Sequence, residues 1–364
     1  MLQFSESGKF AIVHLCDLQD VYPMNKTTCQ FVVEVLREVQ PDLVVLGGDN
    51  TVAEHDDIPA AIRELCDLFV EAETCFTLVF GNHDNQHGYS NDELFAYYKE
   101  FGGEFCLAYD AVPKLTGTAT HNLPILSSDG SRVAFNLFLF DSNTYSFENG
   151  VELGYDCVHK DQIEWYRKTS AALKDENNGK AVPAMAFQHI VVREACDALF
   201  FKAGRLFGKF AKRFNGAAYT VIPKLGNLKS GYLFEFPCPG FFNFGQMDAM
   251  VETGDVIAVF SGHDHTNNFT VKIDGIDVVN TAGCTYHSYG NSLTRGCRVI
   301  ELNEKEATCY SSRSLTVAEM ALRNGSAICG FGDVTKTKAF LTVCFNKVFS
   351  VFVRLLSGLF FFAK

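Results

Sequence analysis

Gly262-His263-Asp264-His265 closes the apolar run Val256–Phe260, and it has four counterparts upstream. Asp17-Leu18-Gln19 follows Phe10–Cys16, and Gly48-Asp49-Asn50 follows Asp42–Leu46. Gly81-Asn82-His83-Asp84 follows Cys75–Phe80, and Gln188-His189 follows Pro183–Phe187. Short apolar runs bounded by turn residues read as buried strands. Five strands that each end in oxygen or nitrogen ligands describe one rim of a sheet carrying a metal site. The separations are 32 residues from Asp17 to Asp49 and 33 from Asp49 to Asn82. Each gap holds one helical segment between two strands, the length of a βαβ unit. Consecutive ligands therefore belong at the same ends of neighbouring parallel strands, where open α/β sheets bind their ligands.

Two divalent cations about 3.5–4 Å apart need a shared anionic ligand. A carboxylate bridges well, whereas an amide or imidazole does not. Asp49 is the expected bridge, because the Gly47-Gly48 turn lets its carboxylate reach beyond the strand. Asp17 is expected on one ion, and Asn82 and His189 on the other. His263 and His265 are two residues apart and point the same way in an extended chain. They can divide between the ions or both bind one.

This ordered series resembles the calcineurin-like metallophosphoesterases, whose signature reads D-x-H, G-D, G-N-H-[DE], a lone H and G-H-x-H. Four of the five blocks match, and the resemblance runs from about Phe10 to Ser312. The stretches Gly262–Phe269 and Tyr286-His287-Ser288-Tyr289-Gly290 look similar to the purple-acid-phosphatase-like branch. The resemblance implies hydrolysis of phosphate mono- or diesters by a hydroxide bridging two cations. It places the general acid at His83, with Asp84 or Asp264 orienting an imidazole from behind. Tyr286 and His287 are candidate pocket residues; ordinary loop packing is the competing reading.

Gln19 stands where the family has His. Its amide oxygen is a neutral, hard ligand, which favours Mn or Mg over Zn at the first ion, with Fe a further candidate. If Gln19 does not ligate, the first ion keeps Asp17, Asp49 and His265. That departure motivates a rival reading: a catalytically weak phospho-ligand-binding protein that retains the fold.

Composition sets the remaining bounds. The 364 residues are 47% hydrophobic and carry a net charge of −12, which argues against nonspecific nucleic-acid binding. The 13 cysteines are odd in number and scattered, as expected of reduced thiols in a cytoplasmic chain. The N-terminus has neither a basic start nor an apolar core, so no signal peptide is expected. A P-loop, a G-x-G-x-x-G turn and Cys-x-x-Cys pairs are missing from the sequence.

Apolar spacing predicts helices over Lys26–Val39 and Ile58–Glu73, and a capping box at Ser90 opens a third. Gln162 and Trp165 belong to a packing helix, and Asp274-Gly275 to a hairpin turn. The expected fold is an α/β sandwich: two mixed sheets face to face, helices outside, and a C-terminal helical tail. Residues 1–312 form the catalytic domain, 313–338 a linker with a short helix, and 339–364 an apolar amphipathic helix. Two segments are expected to depart from a plain catalytic domain. Ala198–Phe214 reads as a basic, aromatic amphipathic helix, either a lid or anionic-lipid surface, or a helix packing its Phe face inward. The tail carries Phe at seven positions, with Lys347, Ser350, Arg354 and Ser357 in one polar stripe. It reads either as an in-plane anchor on an anionic membrane surface, peripheral on its inner face, or as a helix docked on protein. A membrane-associated hydrolase of phospholipid or isoprenoid phosphates follows from the first of these alternatives.

Overall fold

The computed structural model describes residues 1–203, 211–214, 217–323, 326, 328 and 335–361. One sheet contains β2 (Lys9–Leu15), β3 (Leu43–Gly47), β4 (Phe76–Val79), β17 (Gly296–Asn303) and β18 (Tyr310–Thr316). Its order is β18-β17-β2-β3-β4, with β2, β3 and β4 parallel. The other contains β1 (Leu2–Gln3), β5 (His121–Leu126), β6 (Val133–Leu139), β9 (Ala184–Phe187), β13 (Leu228–Ser230), β14 (Val256–Ser261), β15 (Thr270–Ile273) and β16 (Ile276–Asn280). Its order is β1-β5-β6-β9-β14-β16-β15-β13, with β9 and β14 parallel neighbours. The five ligand strands therefore do not form one rim. Three lie in one sheet and two in the other, and the site forms where the C-terminal ends of both meet.

The strands are continuous apolar runs because both of their faces are covered. Ile12, Leu43, Val45 and Val79 face Met185, Phe187, Ala258 and Phe260 across the space between the sheets. Val13, Leu15, Val44, Leu46 and Leu78 point the other way, onto α1 (Lys26–Val39), α2 (Ile58–Glu71) and α3 (Asn91–Gly102). Ala184, Ala186 and Val259 likewise meet α4 (Lys160–Glu176), α5 (Glu194–Leu199) and α6 (Gln246–Thr253). The result is the expected two-sheet sandwich between helical layers. The Ser90 capping box opens α3, with Glu93 Oε2 accepting from the Ser90 amide at 2.9 Å.

The stretch 198–214 is not the expected single helix. α5 ends at Leu199, and the chain continues as β10 (Phe200–Lys202). β11 (Ala211–Phe214) and β12 (Ala217–Pro223) then form a hairpin in register Phe214↔Ala217. The intervening Asn215-Gly216 is a hairpin signal that outweighs the helical spacing of the phenylalanines. Phe200 is buried against Phe236, and Lys202 pairs with Asp197 at 3.2 Å. Residues 204–210, which carry Arg205, Leu206, Phe207, Lys209 and Phe210, lie outside the described residues.

The C-terminal segment is a helix, α8 (Lys336–Phe361), but the expected membrane attachment is corrected. Among the described residues no helix is long and apolar enough to cross a membrane. α8 packs on protein through Ala339, Val343, Asn346 and Phe349. It rests against α7 (Val317–Ala321) and β13. Phe349 stacks on Tyr232 with centroids 5.2 Å apart, and Tyr232 donates its hydroxyl to the Asn346 carbonyl at 2.9 Å. Phe362 and Lys364 lie outside the described residues.

Candidate metal centre

Each ligand strand stops in a tight turn, and four candidate ligands adopt positive φ: Asp17 at 49°, Gln19 at 39°, Asp49 at 52° and His263 at 69°. Non-glycine residues take this conformation at a cost, and such strain collects at functional sites. Glycines make room for it. A Cβ on Gly48, itself at φ +90°, would stand 2.6 Å from His189 Nδ1. One on Gly81 would collide with the Asp49 carboxylate.

The turns converge. Asp49, His189 and His263 bring ligand atoms within 4.8 Å of one another, and so do Asp17, Asp49 and His265. Asp49 belongs to both groups, the place of a bridge. The two histidines of the Gly262-His263-Asp264-His265 turn fall in different groups. His189 Nε2 approaches Asp49 Oδ2 at 3.2 Å, and His265 Nε2 approaches Asp17 Oδ1 at 3.4 Å.

The surrounding hydrogen bonds aim these atoms. His189 Nδ1 faces the Gly47 carbonyl at 2.9 Å, and His265 Nδ1 faces the Tyr289 carbonyl at 2.9 Å, leaving each Nε2 for a cation. Asp17 Oδ2 accepts from the His263 amide at 3.0 Å, and Asp49 Oδ1 from the His83 amide at 2.8 Å. Asn82 gives its Nδ2 to the Tyr145 hydroxyl at 3.2 Å. Asn82 Oδ1 and His263 Nε2 are buried with no hydrogen-bond partner. Leaving such atoms unpaired costs about 1–3 kcal/mol each, which metal ligation would recover. The donor set of carboxylates, imidazoles and an amide oxygen suits divalent cations. The residues present therefore fit a dinuclear centre.

Charge inside the cluster is shared between protons and carboxylates. Burial alone would push His189 down, yet the Asp49 and Asp17 carboxylates raise it to about 10. His265 is likewise opposed by burial and raised to about 9 by Asp17. Burial and the neighbouring His189 take His263 down to about 3. Cations compete with protons for such nitrogens.

The sequence profile of the calcineurin-like phosphoesterases matches residues 10–267, well over half of the chain. The chain belongs to that family. Two Arabidopsis thaliana relatives, named probable inactive purple acid phosphatases 14 and 29, are 27% and 26% identical. The alignments cover 85% and 84% of this chain and 79% and 80% of theirs. Among solved structures, a dimetal phosphatase from Danio rerio aligns at a TM-score of 0.48 and 11% identity, covering 84% of this chain and 98% of that one. This calcineurin-like phosphoesterase is a metal-dependent hydrolase related to the purple acid phosphatase branch, with its two ligand groups in place.

The remaining sequence candidates take these positions. His83 is partly exposed beside the cluster, and its Nδ1 meets Gln86 Oε1 at 2.7 Å. Asp84 is buried and turned away from that ring. It accepts from the amides of Gly81 (2.7 Å), Asn50 (2.8 Å), Asp49 (2.9 Å) and Thr51 (3.3 Å), pinning two ligand loops together. Burial and the Asp49 charge raise the Asp84 carboxyl above its ordinary value. Asp264 Oδ1 accepts from the Cys238 amide at 3.2 Å. Gln19 donates Nε2 to Asp49 Oδ2 at 2.9 Å. Tyr286 lies under the Arg295 guanidinium, 4.3 Å from its ring centroid, and His287 is exposed.

Sequence reasoning missed four residues at the mouth. Tyr289 stacks on His265 at 4.1 Å, and Tyr155 packs edge-on against His263 at 4.3 Å. Tyr145 and Gln86 flank Asn82 and His83. Tyr145 and Tyr155 are cross-strand partners in the hairpin of β7 (Tyr145–Glu148) and β8 (Val151–Tyr155). The Asn149-Gly150 turn between those strands was the available signal.

Proposed function

We propose that this hydrolase cleaves phosphate mono- or diesters with two divalent cations, manganese in the first instance, and with His83 as the general acid. The carrying observation is the pair of ligand groups that share Asp49, with the unpaired His263 Nε2 in one of them. Asp17, Asp49 and His265 would hold one cation, and Asp49, Asn82, His189 and His263 the other. Bound there, the cations would supply Lewis acidity and a water acidified towards neutrality. The neutral Asn82 and Gln19 amides favour manganese over zinc. Because Gln19 Nε2 is spent on Asp49, its Oε1 is the amide atom left for the first cation.

His83 sits beside Asn82 on the same turn, and its backbone holds the bridging carboxylate. A proton on its Nε2 would pass to the leaving oxygen while Gln86 steadies Nδ1. Cys16, Cys66, Cys106, Cys196, Cys284 and Cys297 are buried thiols outside any disulfide, which supports a reducing, cytoplasmic setting.

The names of the Arabidopsis relatives and the departure at Gln19 favour a second reading, binding of a phosphorylated ligand without turnover. Metal analysis of the purified chain, with a manganese-supplemented assay on aryl phosphate mono- and diesters, separates the two. Two metals with turnover are expected. Metal binding without turnover of either ester class would leave the second reading.

A further inference from the structure

Beyond the metal ligands and His83, one hydroxyl at the mouth has a determined polarity. Tyr145 opens β7, half-buried, with its ring stacked on Tyr155 at 5.5 Å. Tyr155 in turn leans on His263. The phenol is thereby seated against the wall of the metal centre.

Two amides donate to its oxygen: Asn82 Nδ2 at 3.2 Å and Gln86 Nε2 at 3.2 Å. Neither amide is free to turn over. Asn82 must keep Oδ1 inward as a ligand, so its NH2 faces Tyr145. Gln86 turns its Oε1 to His83 Nδ1 at 2.7 Å. The Gln86 NH2 is then directed at Tyr145. With its oxygen accepting from two donors, the phenol has only its proton to give. Among the described residues no acceptor takes it. Donation into an oxygen polarises its own O–H and makes it a better donor.

Resting on the hydrolase reading above, we propose that Tyr145 is a substrate-contacting residue, its hydroxyl donating to a non-bridging oxygen of the phosphoryl group. Phosphoryl transfer spreads negative charge over three equatorial oxygens, and a fixed neutral donor stabilises that charge without reorganising. Tyr145 touches Asn82 directly and is linked to His83 through Gln86, so its hydroxyl sits on the rim shared by the metal centre and the general acid. In the reaction the bond from phosphorus to the leaving oxygen breaks, and that oxygen takes the His83 proton. The attacking water forms the new phosphorus–oxygen bond and releases its proton to solvent, from which His83 is reprotonated. Tyr145 keeps its own throughout.

The test is Tyr145→Phe in the full chain, which retains the ring stack, compared with Gln86→Ala and His83→Ala. Manganese content, affinity for inorganic phosphate and kcat on aryl phosphates of graded leaving-group acidity are measured. Phosphate affinity should fall about tenfold in Tyr145→Phe, as for loss of one hydrogen bond to an anion. The kcat should fall by one constant factor across all leaving groups, with manganese content unchanged. Unchanged phosphate affinity overturns the proposal. So does a rate loss that grows for poorer leaving groups in parallel with His83→Ala and Gln86→Ala, because Tyr145 would then act only by positioning His83. If the wild-type chain binds manganese and phosphate but turns over no ester, the hydrolase reading fails, and phosphate affinity alone decides the Tyr145 contact. If it takes up no manganese, both readings fall together.

Discussion

The ligand turns and helix α8 are opposite cases of how sequence reaches structure. The turns at Asp17, Asp49, His189 and Gly262–His265 are a few residues each, spread over most of the chain, yet their ligand atoms meet in two groups, each within 4.8 Å. α8 is 26 continuous residues with an obvious apolar character, yet its surroundings were legible only in part. A turn at the end of a buried strand has its place set by the sheet, because register and strand ends are shared with the neighbours. A helix with apolar residues on several sides can be covered by protein, lipid or another helix, and its period does not say which.

The sharpest break of this contrast is Asp49→Asn. Both ligand groups share that carboxylate, so one exchange should remove both metals and bring metal-dependent hydrolysis below detection. Metal analysis retaining two ions would refute the bridging role. His83→Ala should keep the metals and slow turnover about 10²–10⁴-fold, least for good leaving groups. Loss of metal in that variant would remove His83 from the acid role.

The next test concerns histidines away from the centre. His121 is buried, with Nδ1 on the Ala119 carbonyl at 2.6 Å and Nε2 on Thr77 Oγ1 at 2.7 Å. Burial depresses it from 6.5 to about 4. The unfolded chain therefore takes up a proton between those values while the folded chain does not, so stability falls as pH drops from 6.5 through 4. The loss attributable to His121 is about 3 kcal/mol at the low end. Denaturation midpoints across this window should show the decline, and His121→Gln should flatten it. A slope identical in the variant would count against this assignment.

The smallest expected effects lie on α8, and they separate its two faces. Phe349→Ala removes a ring packed on Tyr232 and should cost about 1–2 kcal/mol, less than a fully buried Phe because the site is only partly covered. Val348→Ser, on the neighbouring exposed face, should stay within about 0.5 kcal/mol. Neither should alter metal content. Equal effects from the two would mean that the helix is not docked as described.

Much of the centre was legible because ligand chemistry is specific. Carboxylates, imidazoles and an amide at strand ends, in that order, have few other uses, and charge alone singled out Asp49, the residue common to both groups. The role of Asp84 was not legible. Its four backbone donors come from residues up to 35 positions away, and nothing in the local Asn82-His83-Asp84 sequence distinguishes a carboxylate that orients a ring from one that ties loops. The aromatic wall was equally hidden. Tyr145 and Tyr155 reach the site only because their hairpin folds over it, a long-range placement with no signature in the hairpin itself. At 198–214 the local signals conflicted, and strand pairing of Ala211–Phe214 with β12 prevailed over helical spacing.

By itself the sequence determined the strand–ligand series, the helices between the strands, the family and the shared carboxylate. Each follows from local periodicity or from ligand chemistry. Only the tertiary structure decided that the five ligand strands split between two sheets, and that His263 and His265 serve different groups. It also decided that Tyr145 stands beside Asn82 and Gln86 and that α8 lies on protein. Those outcomes depend on how whole sheets and helices bury their remaining apolar faces against one another, a competition among distant surfaces that no short stretch of chain encodes.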